Sequence, residues 1–319
     1  MVIGDCNPDV LVLGDDVTPA FGQQEKLVDA VSLEIGGSAA ITAVAAARLG
    51  LKVALVAAVG PDPAGTFMLD QLTREGVDVS FVAVRADAPT GMTVALSRGG
   101  DRAILTALGA IASLTAADIS SALLAQARHV HVSSYFLLAD SLGPGLAAVL
   151  ASARAAGATT SLDTNWDPSQ RWRDERLSAV IAQAGVLLPN EAEALALSGA
   201  ASVDAAATTL AAGGAKVVVK RGARGVLCAD GLARASVSVP AVTPVDATGA
   251  GDCFNAGLIA GLLQGLPLTG AAALGCATGA LSTGAPGGTA SAPDMATAAD
   301  LAKLASVSAS DVPDSAKAS

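Results

Sequence analysis

Asp246-Ala247-Thr248-Gly249-Ala250-Gly251-Asp252-Cys253-Phe254 is a turn of small residues that ends in a carboxylate and opens straight into apolar sequence. Upstream, residues 235–245 are rich in Val and carry Pro240 and Pro244, which reads as extended chain. Downstream, Phe254, Leu258 and Leu262 recur every fourth residue, a helical period. The turn therefore sits on a strand-to-helix junction, where the first N–H groups of the helix lack partners and the helix dipole is positive. Gly249, Ala250 and Gly251 can turn these amides toward an anion without side-chain obstruction. Asp252, at the rim of that cradle, is placed to take a proton from a hydroxyl. The competing reading is structural, because Asp is favoured in the first turn of any helix.

The same alternation of short apolar runs and longer Ala-rich stretches covers the rest of the chain. Residues 9–13, 53–59, 129–132, 159–162, 186–188 and 217–219 read as strands. Residues 39–49, 64–75, 142–156, 176–184, 191–197 and 203–212 read as helices. This βαβ order predicts an α/β fold, a doubly wound, mostly parallel sheet with helices on both faces. Two segments break the rhythm. Val31, Leu33 and Ile35 alternate with polar neighbours, and so do Met92, Val94 and Leu96 before a turn at Gly99-Gly100-Asp101. They predict a small projecting β-sheet, a lid built from segments about 10–36 and 80–108, with plain edge hairpins as the alternative. Residues 1–305 make up the domain, and residues 306–319, small and polar with Asp and Lys mixed in, read as a flexible tail.

Aromatic residues make up only 3% of the 319, against 52% hydrophobic, so the core must be built from Ala, Val and Leu in close layers, as in helices packed on a sheet. A net charge of −10 and a pI near 4.6 argue against nucleic acid or an anionic membrane as partner. The four cysteines, at 6, 228, 253 and 276, form no Cys-x-x-Cys pair, and the chain does not start with a basic segment followed by an apolar one. A reduced cytoplasmic protein is expected. No apolar run approaches the roughly 18 to 20 residues that span a bilayer.

Gly36-Gly37 precedes Ser38-Ala39-Ala40, the start of a helix that ends near Ala47-Arg48-Leu49-Gly50, with Gly50 as its C-cap. Paired glycines also let a ligand approach the backbone closely. Together with the turn at 246–252, this segment resembles the two signatures of the PfkB (ribokinase-like) carbohydrate kinases. The resemblance extends over almost the whole chain. Asn7-Pro8-Asp9 is similar to the family's first-strand substrate motif, Asn190-Glu191-Ala192-Glu193 to its Asn-x-x-Glu motif, and Gly222-Ala223-Arg224-Gly225 to its Gly-x-x-Gly nucleotide loop.

The resemblance implies an ATP-dependent sugar kinase with Asp252 as base and Gly249, Ala250 and Gly251 as the anion hole. It implies that Asp9 accepts sugar hydroxyls, with Asn7, Gly36, Gly37, Ser38 and Asn165 nearby, and that Asn190, Lys220, Gly222 and Gly225 bind ATP. Glu193 would organise Mg²⁺ through water, and Asp246, Thr248 and Gly284 match the place where relatives hold a monovalent cation such as K⁺. No Gly-x-x-x-x-Gly-Lys-Ser/Thr loop and no Gly-x-Gly-x-x-Gly fingerprint competes for the nucleotide. One departure concerns specificity: Ile41 stands where many relatives carry Asn.

His129 and His131 share a strand face, but two histidines without a carboxylate cluster favour a structural role over a metal. Trp166 and Trp172 flank a segment that approaches substrate in related sugar kinases, and ligand stacking and plain packing both stay open. The expected acceptor is the hydroxymethyl group of a monosaccharide or sugar acid of ribose, fructose or 2-keto-3-deoxygluconate type. A nucleoside kinase of the same fold and a non-catalytic sugar sensor are the alternatives. A homodimer through the lid is the expected assembly.

Overall fold

Runs such as Leu55-Val56-Ala57-Ala58-Val59 bury every side chain, which only a strand covered on both faces requires. The structure, a computed structural model, describes residues 1–98, 101–172 and 175–310. Its strands are β1 (Val2–Ile3), β2 (Asn7–Leu13), β3 (Ala30–Gly36), β4 (Leu55–Val59), β5 (Val82–Val84), β6 (Met92–Arg98), β7 (Asp101–Ala107), β8 (His129–Val132), β9 (Thr159–Leu162), β10 (Val186–Leu187), β11 (Lys216–Lys220), β12 (Val226–Asp230), β13 (Ala233–Ser238) and β14 (Ser306–Ser310).

Ten of them form one sheet in the order β14-β13-β12-β11-β10-β9-β8-β1-β4-β5. The pairs from β11 through to β5 are parallel, and β12, β13 and β14 add an antiparallel edge. Alternate residues of β4 point to opposite layers. Leu55, Ala57 and Val59 pack with Ala43, Met68 and Ala256, from helices Ser38–Arg48, Pro63–Arg74 and Ala250–Leu263. Val56 and Ala58 pack with Leu146 and Leu150 of helix Gly143–Ala155. The sheet is thus doubly wound, as expected.

The chain runs from β1 outward to β4 and β5, then returns to β8 on the other side of β1. At such a reversal the C-terminal ends of neighbouring parallel strands open a crevice. Asp5, Ser134, Asp163, Asn190 and Lys220 all lie at or just beyond those ends.

The small sheet has the order β3-β2-β6-β7. It is not wholly antiparallel: β2 and β6 pair in parallel, while β2–β3 and β6–β7 are antiparallel. Both β2 and β6 leave the same end of the main sheet, so they set out in the same direction.

Three expectations are corrected. Residues 9–13, read both as a strand of the parallel sheet and, from about residue 10, as part of the lid segment, lie wholly in the small sheet, and the first strand of the main sheet is Val2–Ile3. Both residues of β1 are buried, as a central parallel strand demands, whereas β2 buries Leu11 and leaves Val10 and Val12 part-exposed. The second lid segment begins at β6, because Val82–Val84 pairs with β4 in the main sheet. The expected tail from 306 is an edge strand for its first five residues, in register with Arg234 to Ser238 of β13. Residues 311–319, and Gly99 and Gly100 of the expected lid turn, lie outside the described residues. Among the described residues no single helix is long and apolar enough to cross a membrane.

Candidate active site

Helix Ala250–Leu263 begins at Gly249, whose φ of 70° is left-handed. A Cβ there would lie 2.6 Å from the Cα of Gly288, so only glycine fits the turn on both counts. Asp252 follows in the first helical turn and is 8% exposed. Burial pushes its carboxyl well above the ordinary range, and Asp163 and Asp5 push the same way against Lys220 and the Ser38 hydroxyl.

On one side of Asp252 stand the residues expected to bind an acceptor. Asp5, just after β1, accepts the N–H groups of Ser38 and Ala39 at 3.0 and 2.9 Å and so caps helix Ser38–Arg48 from outside the helix. Gly37 has φ 82°, and a Cβ there would meet the Asp5 carbonyl at 2.9 Å. Asn7 donates to Asp9 Oδ1 and to Thr93 Oγ1, both at 3.1 Å, which fixes the Asp9 carboxylate below β6. Burial, then Asp5, pushes Asp9 up to about 7, opposed by Arg102 and Asn7. Asn165, in a left-handed conformation with φ 54°, accepts the Ser134 N–H at 2.7 Å and donates to Ser38 Oγ at 2.9 Å.

On the other side lie the residues expected to bind the nucleotide. A cavity of about 360 Å³ runs from Lys220, Gly222 and Gly225 past Val242 and Phe254 to Ala250 and Gly251. Its wall is mostly aliphatic. Gly225 has φ 76°, and a Cβ would meet the Val237 carbonyl at 2.1 Å, so the Gly222–Arg224 turn can close only over glycine.

Asn190 caps helix Glu191–Ser198 through a reciprocal pair. Its Oδ1 accepts the Glu193 N–H at 2.9 Å, while its backbone N–H and Nδ2 donate to the two Glu193 oxygens at 2.8 and 2.7 Å. This capping box holds both Glu193 oxygens at the start of the helix. Glu193 is buried and, by desolvation first and then Asp163, pushed up to about 7.

Asp246 ties the turn to its neighbour: Oδ1 accepts the N–H and hydroxyl of Thr248 at 2.9 and 2.8 Å, and Oδ2 accepts the Gly287 N–H at 2.9 Å. The Thr283 carbonyl, beside Gly284, accepts the N–H groups of Val245 and Asp246 at 2.7 and 3.1 Å. From the small sheet, Arg102 donates to Thr248 Oγ1 at 2.7 Å, so that sheet touches the turn at residues 246–252.

Several site residues were not singled out from sequence. Asp163 accepts from Lys220 Nζ and, at 2.7 Å, from Asn255 Nδ2. Asp5, Ser134, Asn255 and Arg102 complete the set. For Asp5 and Asp163 a signal existed, since each carboxylate lies just past a short strand, where parallel sheets place ligands. Arg102 reaches the turn only through the lid, across 146 residues of sequence.

Ile41 is buried, and its side chain packs against Gly249 and Gly288 behind the catalytic turn. His129 and His131 are structural, each ring bonded to Thr159, Ser161 or Ser133 within β8 and β9 or at their ends. Among the described residues no group of three or more His, Cys, Asp or Glu is arranged to hold a metal directly. Trp166 is half-exposed and meets Trp172 edge to face at 4.9 Å.

This fold and site define a phosphotransferase with an alcohol group as acceptor, built on the ribokinase-like architecture. The chain belongs to the PfkB family of carbohydrate kinases, whose profile matches residues 1–295. It is 29% identical to a ribokinase of Haemophilus influenzae over 92% of this chain and 94% of that protein. It is 32% identical to a 2-dehydro-3-deoxygluconokinase of Bacillus subtilis over 82% of this chain and 84% of that protein. Among solved structures, a ribokinase II candidate from E. coli, in complex with ATP and Mg²⁺, superposes with a TM-score of 0.83 at 24% identity, covering 95% of this chain and 98% of that one.

Proposed function

We propose that this carbohydrate kinase transfers the γ-phosphoryl group of ATP to the hydroxymethyl oxygen of a monosaccharide or sugar acid of ribose, fructose or 2-keto-3-deoxygluconate type. The observation that carries the reading is the place of Asp252, next to Gly251 of the cavity lining and facing the hydroxyl of Ser38, which is bonded to Asn165. Asp252 takes the hydroxyl proton as the oxygen attacks the γ-phosphorus, and ADP leaves. The amides of Gly249, Ala250 and Gly251 hold the charge on the transferring group. A loose phosphoryl-transfer transition state needs positioning more than a strong base.

Asn7, Asp9, Gly36, Gly37, Ser38 and Asn165 hold the acceptor. Charge-assisted bonds to Asp9 are the strong kind. The aliphatic cavity takes the nucleotide, with Asn190, Lys220, Gly222 and Gly225 on its phosphate side.

The donor set fits Mg²⁺. Glu193 is a buried carboxylate near Lys220, and a hard cation held mainly by phosphate and water matches a site without a protein cage. When bound, Mg²⁺ neutralises phosphate charge, and Glu193 orients its water shell. A monovalent cation beside Asp246, Thr248 and Gly284 belongs to the same proposal, although both Asp246 oxygens already accept hydrogen bonds. Val31, Leu33 and Leu105 leave one face of the small sheet with exposed apolar side chains, and we propose that they form a homodimer surface.

An ADP-release assay over sugars, sugar acids, sugar phosphates and nucleosides, with and without K⁺, tests the reading. Turnover is expected with a sugar or sugar acid. Preference for a nucleoside would give the site to the alternative kinase, with half-exposed Trp166 as a stacking surface. No turnover with normal ATP binding would make the protein a sensor.

A further inference from the structure

We infer that Asp163 is a positioning residue that couples the acceptor pocket to the phosphate side of the nucleotide cavity. Its carboxylate is fully buried and joins three elements. Oδ2 accepts from Lys220 Nζ at the end of β11 and from Asn255 Nδ2 on the catalytic helix at 2.7 Å. Oδ1 accepts the Asn165 N–H at 3.2 Å, in the loop after β9. Asn165 in turn bonds to Ser38 Oγ, at the start of the helix that Asp5 caps. One carboxylate thus fixes Lys220, which lines the cavity beside Gly251, and Asn165, which bonds to Ser38 on the proposed acceptor side.

The alternative, that Asp163 merely neutralises a buried lysine, leaves two features unexplained. A neutralising partner needs only the ion pair, but the second donor to the same oxygen comes from Asn255, one turn after Asp252. Asn255 is itself completely buried, and its Oδ1 lacks a hydrogen-bond partner among the described residues, so its amide is committed to Asp163 at the cost of the other end. Asn165, held from the other oxygen, adopts a left-handed backbone that only a surrounding set of bonds sustains. When acceptor hydroxyls or phosphate oxygens draw on Asn165 or Lys220, the shared carboxylate transmits the shift to the other group and to the helix that carries Asp252.

The inference rests on Asp252 as base and Lys220 as phosphate ligand, and the test separates the two. The groups facing Asp252 are Asp163, Lys220, Asp5 and the Ser38 hydroxyl. With the full-length protein and its best acceptor, kcat and kcat/KM are measured against pH for the wild type, D163N, K220M, D163N/K220M and D252N. D163N is expected to lower kcat by about 10²-fold through misplacement alone. The acid limb of kcat/KM should move to lower pH, since the charge that raises Asp252 is gone. The double variant should be no slower than the slower single one, because both substitutions break one unit.

A wild-type kcat and acid limb in D163N, or penalties that multiply in the double variant, would overturn the coupling while D252N still shows its loss. Unchanged turnover in D252N would instead remove the base assignment, and the D163N–K220M cycle would then decide the coupling alone. Should D163N fail to fold, N255A keeps the charge and removes one donor. A roughly tenfold fall in kcat with an unmoved acid limb supports the coupling, and a wild-type kcat overturns it.

Discussion

Gly36 lies against the carboxylate of Asp9: a Cβ on Gly36 would sit 1.9 Å from Asp9 Oδ1 and 2.1 Å from its Cγ. The two residues belong to paired strands, and the missing side chain of one is the room occupied by the other. The atom in the way is the end of a side chain and not backbone, so Gly36→Ala should fold and push Asp9 aside. Loss of one hydrogen bond to a charged group is worth about 1.5–3 kcal/mol, or roughly 10- to 100-fold in the acceptor KM. Steady-state kinetics should show that rise with kcat and the ATP KM little changed.

Asp9 also sets a pH dependence. Its carboxyl titrates near 7 in the folded chain because it is buried beside Asp5, against an ordinary unfolded value of ~3.9. A raised folded value means that the stability Asp9 contributes is fully present below the unfolded pKa and lost as pH rises through 7. Asp9→Asn should therefore raise Tm at pH 8, and the gain should shrink toward pH 5. The same substitution should weaken acceptor binding most above pH 7, where the native carboxylate is ionised. Thermal melts and acceptor KM values at pH 5, 6.5 and 8 check both arms.

The helix and strand alternation was legible because parallel strands such as β4 and β11 are short, Val-rich and largely buried on both faces, and they fall where residues 53–59 and 217–219 read as strands. Residues 9–13 misled because Val10, Leu11, Val12 and Leu13 carry the same apolar composition in a lid strand as in a core strand. Only the exposure of alternate residues distinguishes the two. Residues 306–310 alternate Ser with Val307 and Ala309, a period-2 signal too short and too small in side-chain size to stand out, and pairing with β13 fixes the conformation. In the site, local motifs such as Asn190 to Glu193 were legible because a reciprocal cap needs two residues three apart in sequence. The hub at Asp163 was not, because Lys220 and Asn255 lie 57 and 92 residues away in sequence.

Gly249 carries the turn proposed as the anion hole. Its left-handed φ costs another residue about 1–2 kcal/mol, and a Cβ would press on the backbone of Gly288, which cannot swing away as a side chain can. Gly249→Ala should lower Tm and also rotate the first amides of the helix away from the transferring group. Removing one donor from such a hole costs about 10²–10³ in kcat. ATP binding, measured by calorimetry on the folded variant, should fall far less than kcat.

The histidines of β8 supply the opposite pH dependence to Asp9. Thr159, His129, Ser161, His131 and Ser133 form a continuous chain of side-chain hydrogen bonds of 2.7–2.8 Å through the middle of the main sheet. Burial lowers both rings, with His131 reaching about 4, so each is held neutral in the folded state. A depressed folded value gives stability that is present above the unfolded pKa of ~6.5 and lost as pH falls through the folded one. Between pH 6.5 and 4 the melting temperature should therefore drop as the unfolded chain takes up protons that the folded chain refuses. His131→Phe should flatten that part of the profile. It should also lower Tm at pH 7.5, because Ser161 and Ser133 lose a buried partner at about 1–3 kcal/mol each. The check is calorimetric melting of both proteins from pH 4.5 to 7.5: a parallel offset with no change of slope would show that the chain contributes packing but no proton linkage.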